Sequence, residues 1–276
     1  VKLGTPASFI GCVGKDEPGN NLIQVLATVG VDTTGIQRHP TAPTRQIYVV
    51  RTESGDRIFA GFADYDTTEF ADTHLQASLL PVSLFENADF LVLGTLELAY
   101  PQSGASVRRA LQLADQYNVK IVLDVNWRPV FWQDTDKAVE TILEIVPQVD
   151  FLKLSKEDPG AIAYRLNTAE GVLITDGDKG CSYCLSENEG KLPSFSVPVV
   201  ETTGAGDSFV AGFVHQLSKL GIHSLADAKI AKQVVTYATA TGALTTTKPG
   251  AIAAQPTAAE VEAFLEGRGE ELGTTV

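Results

Sequence analysis

The chain has 276 residues, 44% of them apolar, enough for one sizeable core and a small appended unit, and this composition excludes a disordered tract or a fibre. Its 21 Lys and Arg against 34 Asp and Glu leave a formal charge of −13, which argues against a nucleic-acid partner, because holding a polyphosphate backbone requires clustered cations. No apolar run approaches the roughly 18 residues of a membrane span, and the opening VKLGTPASFIGCVG lacks the order of a secretory signal, so the expected setting is cytoplasmic or an organelle interior such as a plastid.

Three cysteines, Cys12, Cys181 and Cys184, leave one odd and point to a reducing compartment. Methionine is absent throughout, position 1 included, so the string is expected to lack residues at its start or within it.

The first distinctive segment is 44–62, where QIYVVRTESGDRIFAGF reads as two β-rich runs around a turn of Ser, Gly and Asp. Ile47, Val49, Ile58 and Phe62 alternate with polar neighbours, leaving one face for a substrate and one for a partner or solvent. The reading is a hairpin within a small β-lid. A two-stranded ribbon alone is marginal in water, so it needs further strands or a second copy across a homodimer.

Past residue 80, short apolar runs alternate with amphipathic helical patterns, the arrangement of parallel strands linked by crossover helices. Strands are expected at 89–93, 119–124, 150–154 and 171–175. Helix 106–117 places Val107, Ala110, Leu111 and Ala114 on one face, and helix 136–146 does the same with Val139, Ile142, Leu143 and Val146. The pair Cys181-x-x-Cys184 has no second pair or neighbouring histidine to complete a zinc site, since His39, His74, His215 and His223 are scattered, and it reads as part of a hairpin. The tail from 271 to 276 is expected to fray.

The sharpest feature is Glu201-Thr202-Thr203-Gly204-Ala205-Gly206-Asp207-Ser208-Phe209, followed by a helical pattern with Phe209, Phe213, Leu217 and Leu220. Gly204, Ala205 and Gly206 let backbone approach a ligand closely, and free N–H groups at the positive end of a helix suit a phosphate. Asp207 falls in the first turn, within reach of an attacking alcohol, and a carboxylate is a sufficient base for phosphoryl transfer. The alternative is a capping aspartate beside glycines that only turn the chain.

This stretch resembles the C-terminal signature of the ribokinase-like, PfkB-type carbohydrate kinases. Five others match in the family's order: SFIGCVGKDEPG at 8–19, LDVNWRPVFW at 123–132, FLKLSKE at 151–157, VLITDGDKG at 172–180 and TGALTTTKPGA at 241–251. The DVNWRPVFW run is most similar to the fructokinase branch. The resemblance implies an α/β fold with a three-layer α/β/α core on a mostly parallel sheet, spanning 1–43 and 63–276, and a small β-sheet lid that includes 44–62. The family's first strand, with its sugar-binding Asp, is not found before Val1. VKLG reads as the end of the first helix, and core and lid are expected to begin before residue 1.

The resemblance further implies ATP and Mg2+ as cofactors and a small-molecule sugar as substrate, foremost D-fructose phosphorylated at its terminal hydroxyl. Kinases of 2-keto-3-deoxygluconate, ribose or a nucleoside are the alternatives, as is a kinase-like interaction protein without catalysis. By the same resemblance Asp207 is the catalytic base, and Gly204, Ala205 and Gly206 cradle the phosphate. Thr175, Gly177 and Gly180 form a nucleotide turn, or else a plain hairpin. Asn126 and Arg128 follow a strand at the end where open α/β sheets bind ligands. Arg128 offers a planar donor pair to the transferring phosphoryl group, or forms a surface salt bridge. Thr44 and Arg45 contact sugar or face solvent, while Trp127, Phe131 and Trp132 line a pocket or fill core. Tyr237, Ala240 and Ala243 border adenine or serve helix packing. The family's magnesium motif Asn-x-x-Glu falls on Ser155-Lys156-Glu157-Asp158, where Ser155 replaces Asn and leaves Glu157 or Asp158 as the metal candidate. Glu201 replaces an Asp beside the family's monovalent-cation loop, which leaves potassium (K+) open.

Overall fold

The computed structural model describes residues 1–51, 57–62, 65–163 and 169–271. In chain order these form β1 (Ser8–Gly14), α1 (Glu17–Thr28), β2 (Asp32–His39), β3 (Tyr48–Arg51), β4 (Arg57–Gly61), α2 (Val82–Glu86), β5 (Phe90–Leu93), α3 (Pro101–Tyr117), β6 (Lys120–Asp124) and α4 (Thr135–Ile145). They continue with β7 (Phe151–Ser155), α5 (Gly160–Ala163), β8 (Gly171–Thr175), β9 (Cys181–Leu185), β10 (Asn188–Leu192), α6 (Ala205–Leu220), α7 (Ala228–Thr245) and α8 (Ala258–Glu271). Among the described residues the strands make three sheets: a six-stranded one ordered β10-β9-β8-β7-β6-β5, a parallel β1-β2 pair and the antiparallel β3-β4 ribbon. Strands β5 to β8 run parallel, while β9 and β10 add an antiparallel edge.

Both faces of the large sheet are covered, and the period of two along each strand sorts residues between them. Ile121, Leu123, Leu152, Leu154 and Val172 join Val107, Leu111 and Ala114 of α3 and Ile142 and Ile145 of α4 on one side. Val122, Phe151 and Leu173 join Phe209, Phe213 and Leu217 of α6 and Ala231, Val234 and Ala238 of α7 on the other. Helix, sheet and helix thus form the three expected layers. Phe151 and Phe213 meet edge to face at 5.5 Å with neither exposed, a burial that stabilises by about 1.5–3 kcal/mol for each side chain.

Strand 171–175 lies where its pattern placed it, and the other three expected strands differ from observation by a residue at one or both ends. Helix α3 begins five residues before its apolar periodicity does, at Pro101, whose missing N–H costs nothing in a first turn. That turn is invisible to periodicity because it buries hydroxyls: Ser103 donates to Glu97 O at 2.9 Å and Ser106 to Leu75 O at 2.6 Å. The segment VKLG is not a helix end. It is a turn closed by Gly4 N–H to Val1 O at 2.7 Å with Gly4 at φ 101°, and Leu3 is buried against Tyr237 and Val261. The hairpin is present as β3-β4, but 44–47 stand outside its strands, and the tip at 52–56 and the tail at 272–276 lie outside the described residues.

Candidate active site

Gly204 starts α6 with φ 82° and ψ 0°, a left-handed conformation that glycine adopts without penalty. A Cβ there would stand 3.1–3.2 Å from the backbone and side chain of Ala251, so the turn also needs glycine for the close approach of the loop after α7. Glu201 seals that approach by accepting from Gly250 N–H at 3.0 Å, and Thr246 O accepts from the N–H of Val200 and Glu201. The helix has no side-chain cap, and Asp207 is its third residue rather than its cap. Of the three residues expected to cradle an anion, Ala205 is otherwise engaged, since its N–H turns back onto Thr202 O at 3.2 Å. The first-turn N–H groups of Gly206 and Asp207 have no acceptor within the helix by its geometry.

Asp207 opens on a cavity lined also by Val92, Leu93, Gly94, Leu96, Glu97, Asp124, Asn126 and Val210. Asn126, the second residue after β6, takes a positive φ of 43°, a strained conformation for a residue with a side chain, of the kind that clusters at sites. Asp124 is buried, and desolvation raises its carboxyl; Lys153 opposes this, while the charges of Asp207 and Asp158 add to it.

A second cavity of about 500 Å³ adjoins the first and shares Leu96 and Glu97 with it. Arg45, Ile47, Asp72, Tyr100, Arg128 and Phe131 contribute to its walls. Glu97 faces both cavities, and its desolvation raises its carboxyl, Asp72 adding to the effect and Arg45 opposing it. Motif reading passed over Glu97. The available signal was a carboxylate two positions after a strand-end glycine and threonine, in the otherwise apolar LGTLELA.

Arg45 reaches this cavity from the foot of the hairpin. Its Nε donates to Asp72 at 2.7 Å and its Nη2 to Thr67 O at 2.9 Å, while the guanidinium lies 4.5 Å from the Phe70 ring centre and 5.1 Å from that of Phe131. Phe62 and Tyr100 complete the aromatic surround. Its Nη1 is buried without a hydrogen bond. Thr44 does something else. It is buried, donates from Oγ1 to Asp16 at 2.6 Å and from N to Asp16 at 2.7 Å, and accepts from Gly14 N–H at 2.9 Å. Its hydroxyl and N–H are both spent tying the hairpin's foot to the cap of α1, where Asp16 also accepts from Gly19 N–H at 2.9 Å. A sugar contact by its hydroxyl is therefore replaced by a structural staple.

Arg128 is exposed and donates to Trp127 O at 2.8 Å. It lines the second cavity, with Arg45, and not the one on which Asp207 opens. Phe131 joins the aromatic cluster of Phe62, Phe70 and Tyr100, and Trp127 and Trp132 stack at 6.2 Å against the core below α4.

Thr175 ends β8, its Oγ1 donating to Leu154 O at 3.2 Å. Gly177 and Gly180 both take positive φ, 52° and 96°. A Cβ on Gly180 would lie 2.0 Å from Leu192 O, so this glycine is demanded by the β9-β10 hairpin, whereas nothing stands within 4 Å of one on Gly177. Tyr237 and Ala240 are buried against Leu3 and Val261, and Ala243 is buried as well. For the first two this is helix packing, because the periodicity that gathers small residues cannot tell a nucleotide-facing side from one covered by α8. The residue of α7 that meets the glycine turn is Gly242, where a Cβ would be 3.0 Å from Ala205 O.

Asp158 accepts from Trp127 N–H at 3.2 Å and Ser155 N–H at 2.6 Å, one bond to each oxygen, and so braces two loops; Glu157 is exposed. Among the described residues no group of three or more His, Cys, Asp or Glu converges to hold a metal. A magnesium ion fits this site only as one carried largely by substrate phosphates with water between it and the carboxylates, the usual habit of that ion. Cys181 is buried in β9, where desolvation pushes its thiol up to about 12, and neither it nor Cys184 is in a disulfide. No described helix is long and apolar enough to cross a membrane.

The pfkB family carbohydrate kinase profile matches residues 1–258. Fructokinase-1 of Zea mays is 33% identical over 96% of this chain and 84% of its own length. The solved fructokinase of Xylella fastidiosa with bound ATP superposes with a TM-score of 0.88 at 24% identity, covering 97% of this chain and 87% of that one. An E. coli protein solved with ATP and Mg2+ follows with a TM-score of 0.81 at 25% identity, over 96% and 84%. The three-layer core with its flanking small sheets is thus a ribokinase-like fold. A profile of that breadth, joined to a relative of that identity over almost the whole sequence, makes the assignment: the chain belongs to the pfkB family of carbohydrate kinases.

Proposed function

We propose that this chain transfers the γ-phosphoryl group of ATP to the terminal hydroxyl of D-fructose, with Asp207 as the base. The observation that carries the reading is Asp207 in the uncapped first turn of α6, open to the cavity it shares with Asn126 and Asp124. The N–H groups of Gly206 and Asp207 receive the transferring phosphoryl oxygens, and the Asp207 carboxylate takes the hydroxyl proton late, as a loose transition state requires. When bound, Mg2+ neutralises charge on the phosphates. Thr175 and Gly177, at the end of β8, are the residues we place against the nucleotide.

Glu97 and Arg45 are the polar groups we assign to the sugar, the first as an acceptor and the second as a donor in the larger cavity. The ribbon β3-β4 is the lid: Tyr48 at its start and Ile47 just before it are 48% and 53% exposed, and this apolar surface is where we place the second copy of a homodimer. The pairing of Arg45 with Arg128 on one cavity favours a second reading, a 2-keto sugar acid such as 2-keto-3-deoxygluconate, whose carboxylate would face both guanidinium groups.

Coupled ADP release across fructose, 2-keto-3-deoxygluconate, ribose and a nucleoside tests both readings. Fructose-dependent release carries the first; release with the acid alone carries the second. Release with no sugar on the panel rejects both, and fast release without sugar rejects closure by the lid. Repeating the assay with added KCl tests a monovalent cation at the Glu201 loop.

A further inference from the structure

Asp124 and Lys153 face one another in register on the adjacent parallel strands β6 and β7. They continue the parity of Val122 and Phe151, so both point to the side of the sheet covered by α6 and α7. Lys153 Nζ stands 3.0 and 3.2 Å from the two Asp124 oxygens, with the residues 6% and 7% exposed. Desolvating two charges costs more than their attraction commonly returns, and an apolar pair of similar volume often serves the fold as well or better. Stability is thus a poor reason for this pair.

Its position supplies another. A Cβ on Gly206 would lie 3.3 Å from Lys153 Nζ, so the ammonium is pressed against the backbone of the first turn of α6, one residue before Asp207. On the opposite side Asp124 lines the cavity on which Asp207 opens. The other groups whose charge or proton bears on the pair are Asp207 on α6, Asp158 after β7 and the thiol of Cys181 on β9. Lys153 is therefore a cation set among carboxylates at the carboxyl end of the sheet.

We infer that Lys153 is a positioning residue for phosphoryl transfer: clamped by Asp124, its ammonium supports the glycine turn from beneath and holds a fixed positive charge behind the phosphoryl group as it meets the hydroxyl oxygen whose proton Asp207 takes. This rests on the reading of Asp207 as the base. A charge buried there adds to the positive end of α6 and acts through a medium of low dielectric constant, without reorganisation during the reaction. It matters most for charge that develops between ground state and transition state.

Lys153→Met alone strands the Asp124 charge in the interior and is expected to impair folding. The decisive protein is Asp124→Asn/Lys153→Met, which removes both charges at similar volume. Its melting temperature is expected near that of the unmodified chain, its kcat lower by about 10²-fold and its sugar KM changed by less than about threefold. Lys153→Arg, with Asp124 kept, should recover part of kcat.

Calorimetric binding of ADP, and of ADP with aluminium fluoride, both with Mg2+, reads the same effect without turnover. The double variant should hold ADP normally and lose at least about tenfold in affinity for the fluoride complex. A kcat within about twofold of the unmodified chain, or equal weakening of both ligands, overturns the inference. So does a double variant that fails to fold, since the pair would then be structural. An unmodified chain that distinguishes the two ligands but turns over no sugar rejects the proposed reaction while leaving the inference standing on binding; one that binds neither rejects both.

Discussion

Replacing Gly204 by alanine loads the turn that presents Asp207 in two separate ways. The residue sits at φ 82° and ψ 0°, where a side chain costs about 1–2 kcal/mol. The new Cβ would also meet Ala251 O, Cα and Cβ at 3.1–3.2 Å, and since two of these belong to backbone, relief requires the loop after α7 to move. Such overpacking adds about 1–3 kcal/mol. If the turn keeps its shape, the sum of about 2–5 kcal/mol lowers the melting temperature by roughly 5–15 °C for a chain of this size. If instead the turn yields, α6 begins differently and Asp207 shifts, and a displacement of about 1 Å is enough to lose about 10² in kcat. Melting followed by circular dichroism and the ADP-release assay, run on one preparation, cover both routes. Gly177→Ala is the control for melting alone: its φ is 52° but nothing lies within 4 Å of the added Cβ, so only the conformational cost of about 1–2 kcal/mol remains. A Gly204→Ala protein that melts like the unmodified chain and keeps kcat within twofold would refute the argument that this glycine holds the site.

Asp207→Asn, which cannot accept a proton, is expected to lower kcat by about 10²–10⁴ with unchanged melting, and near-normal turnover would remove the residue from the base role. Thr44→Val deletes the hydroxyl shared by Asp16 and Gly14 and should cost about 1–3 kcal/mol of stability with sugar KM little changed; a raised KM with intact melting would return Thr44 to the substrate. Glu260, bonded to Lys248 and to Thr257 in the capping box of α8, has its carboxyl held down to about 2 from an ordinary 4.5. Its contribution to stability is thus complete above about pH 4.5 and lost as pH falls towards 2, and Glu260→Gln should flatten that part of the melting-temperature profile; an unchanged slope would reject the assignment.

The parallel strands of the large sheet, the glycine turn and the helix behind it were legible because each is written in local pattern. A strand buried on both faces is a short apolar run, a left-handed start needs glycine, and Phe209, Phe213 and Leu217 recur at helical spacing whatever they pack against. The four expected strands and the helices at 106–117 and 136–146 follow that reading to within a few residues, and the glycine turn puts Asp207 in the first turn of α6, whereas α2, α5 and α8 were not expected. What the sequence could not express is which neighbour claims a polar atom. Thr44 was a hydroxyl beside a hairpin until Asp16, 28 residues away, took both its donors. Arg128 followed a strand end as expected, yet the direction of the loop carried it to Arg45 instead of Asp207. Tyr237 and Ala240 looked alike with Gly242 along α7, and only the docking of α8 and Leu3 on one side separated packing from approach to the turn. Glu97 was a single charge in an apolar run, and Asp124 and Lys153 fell in two separate family-matching stretches with nothing in the sequence to pair them. Their meeting depends on the register of β5, β6 and β7, a long-range pairing that local periodicity does not encode, and it is this pairing that assembles the charges around the glycine turn.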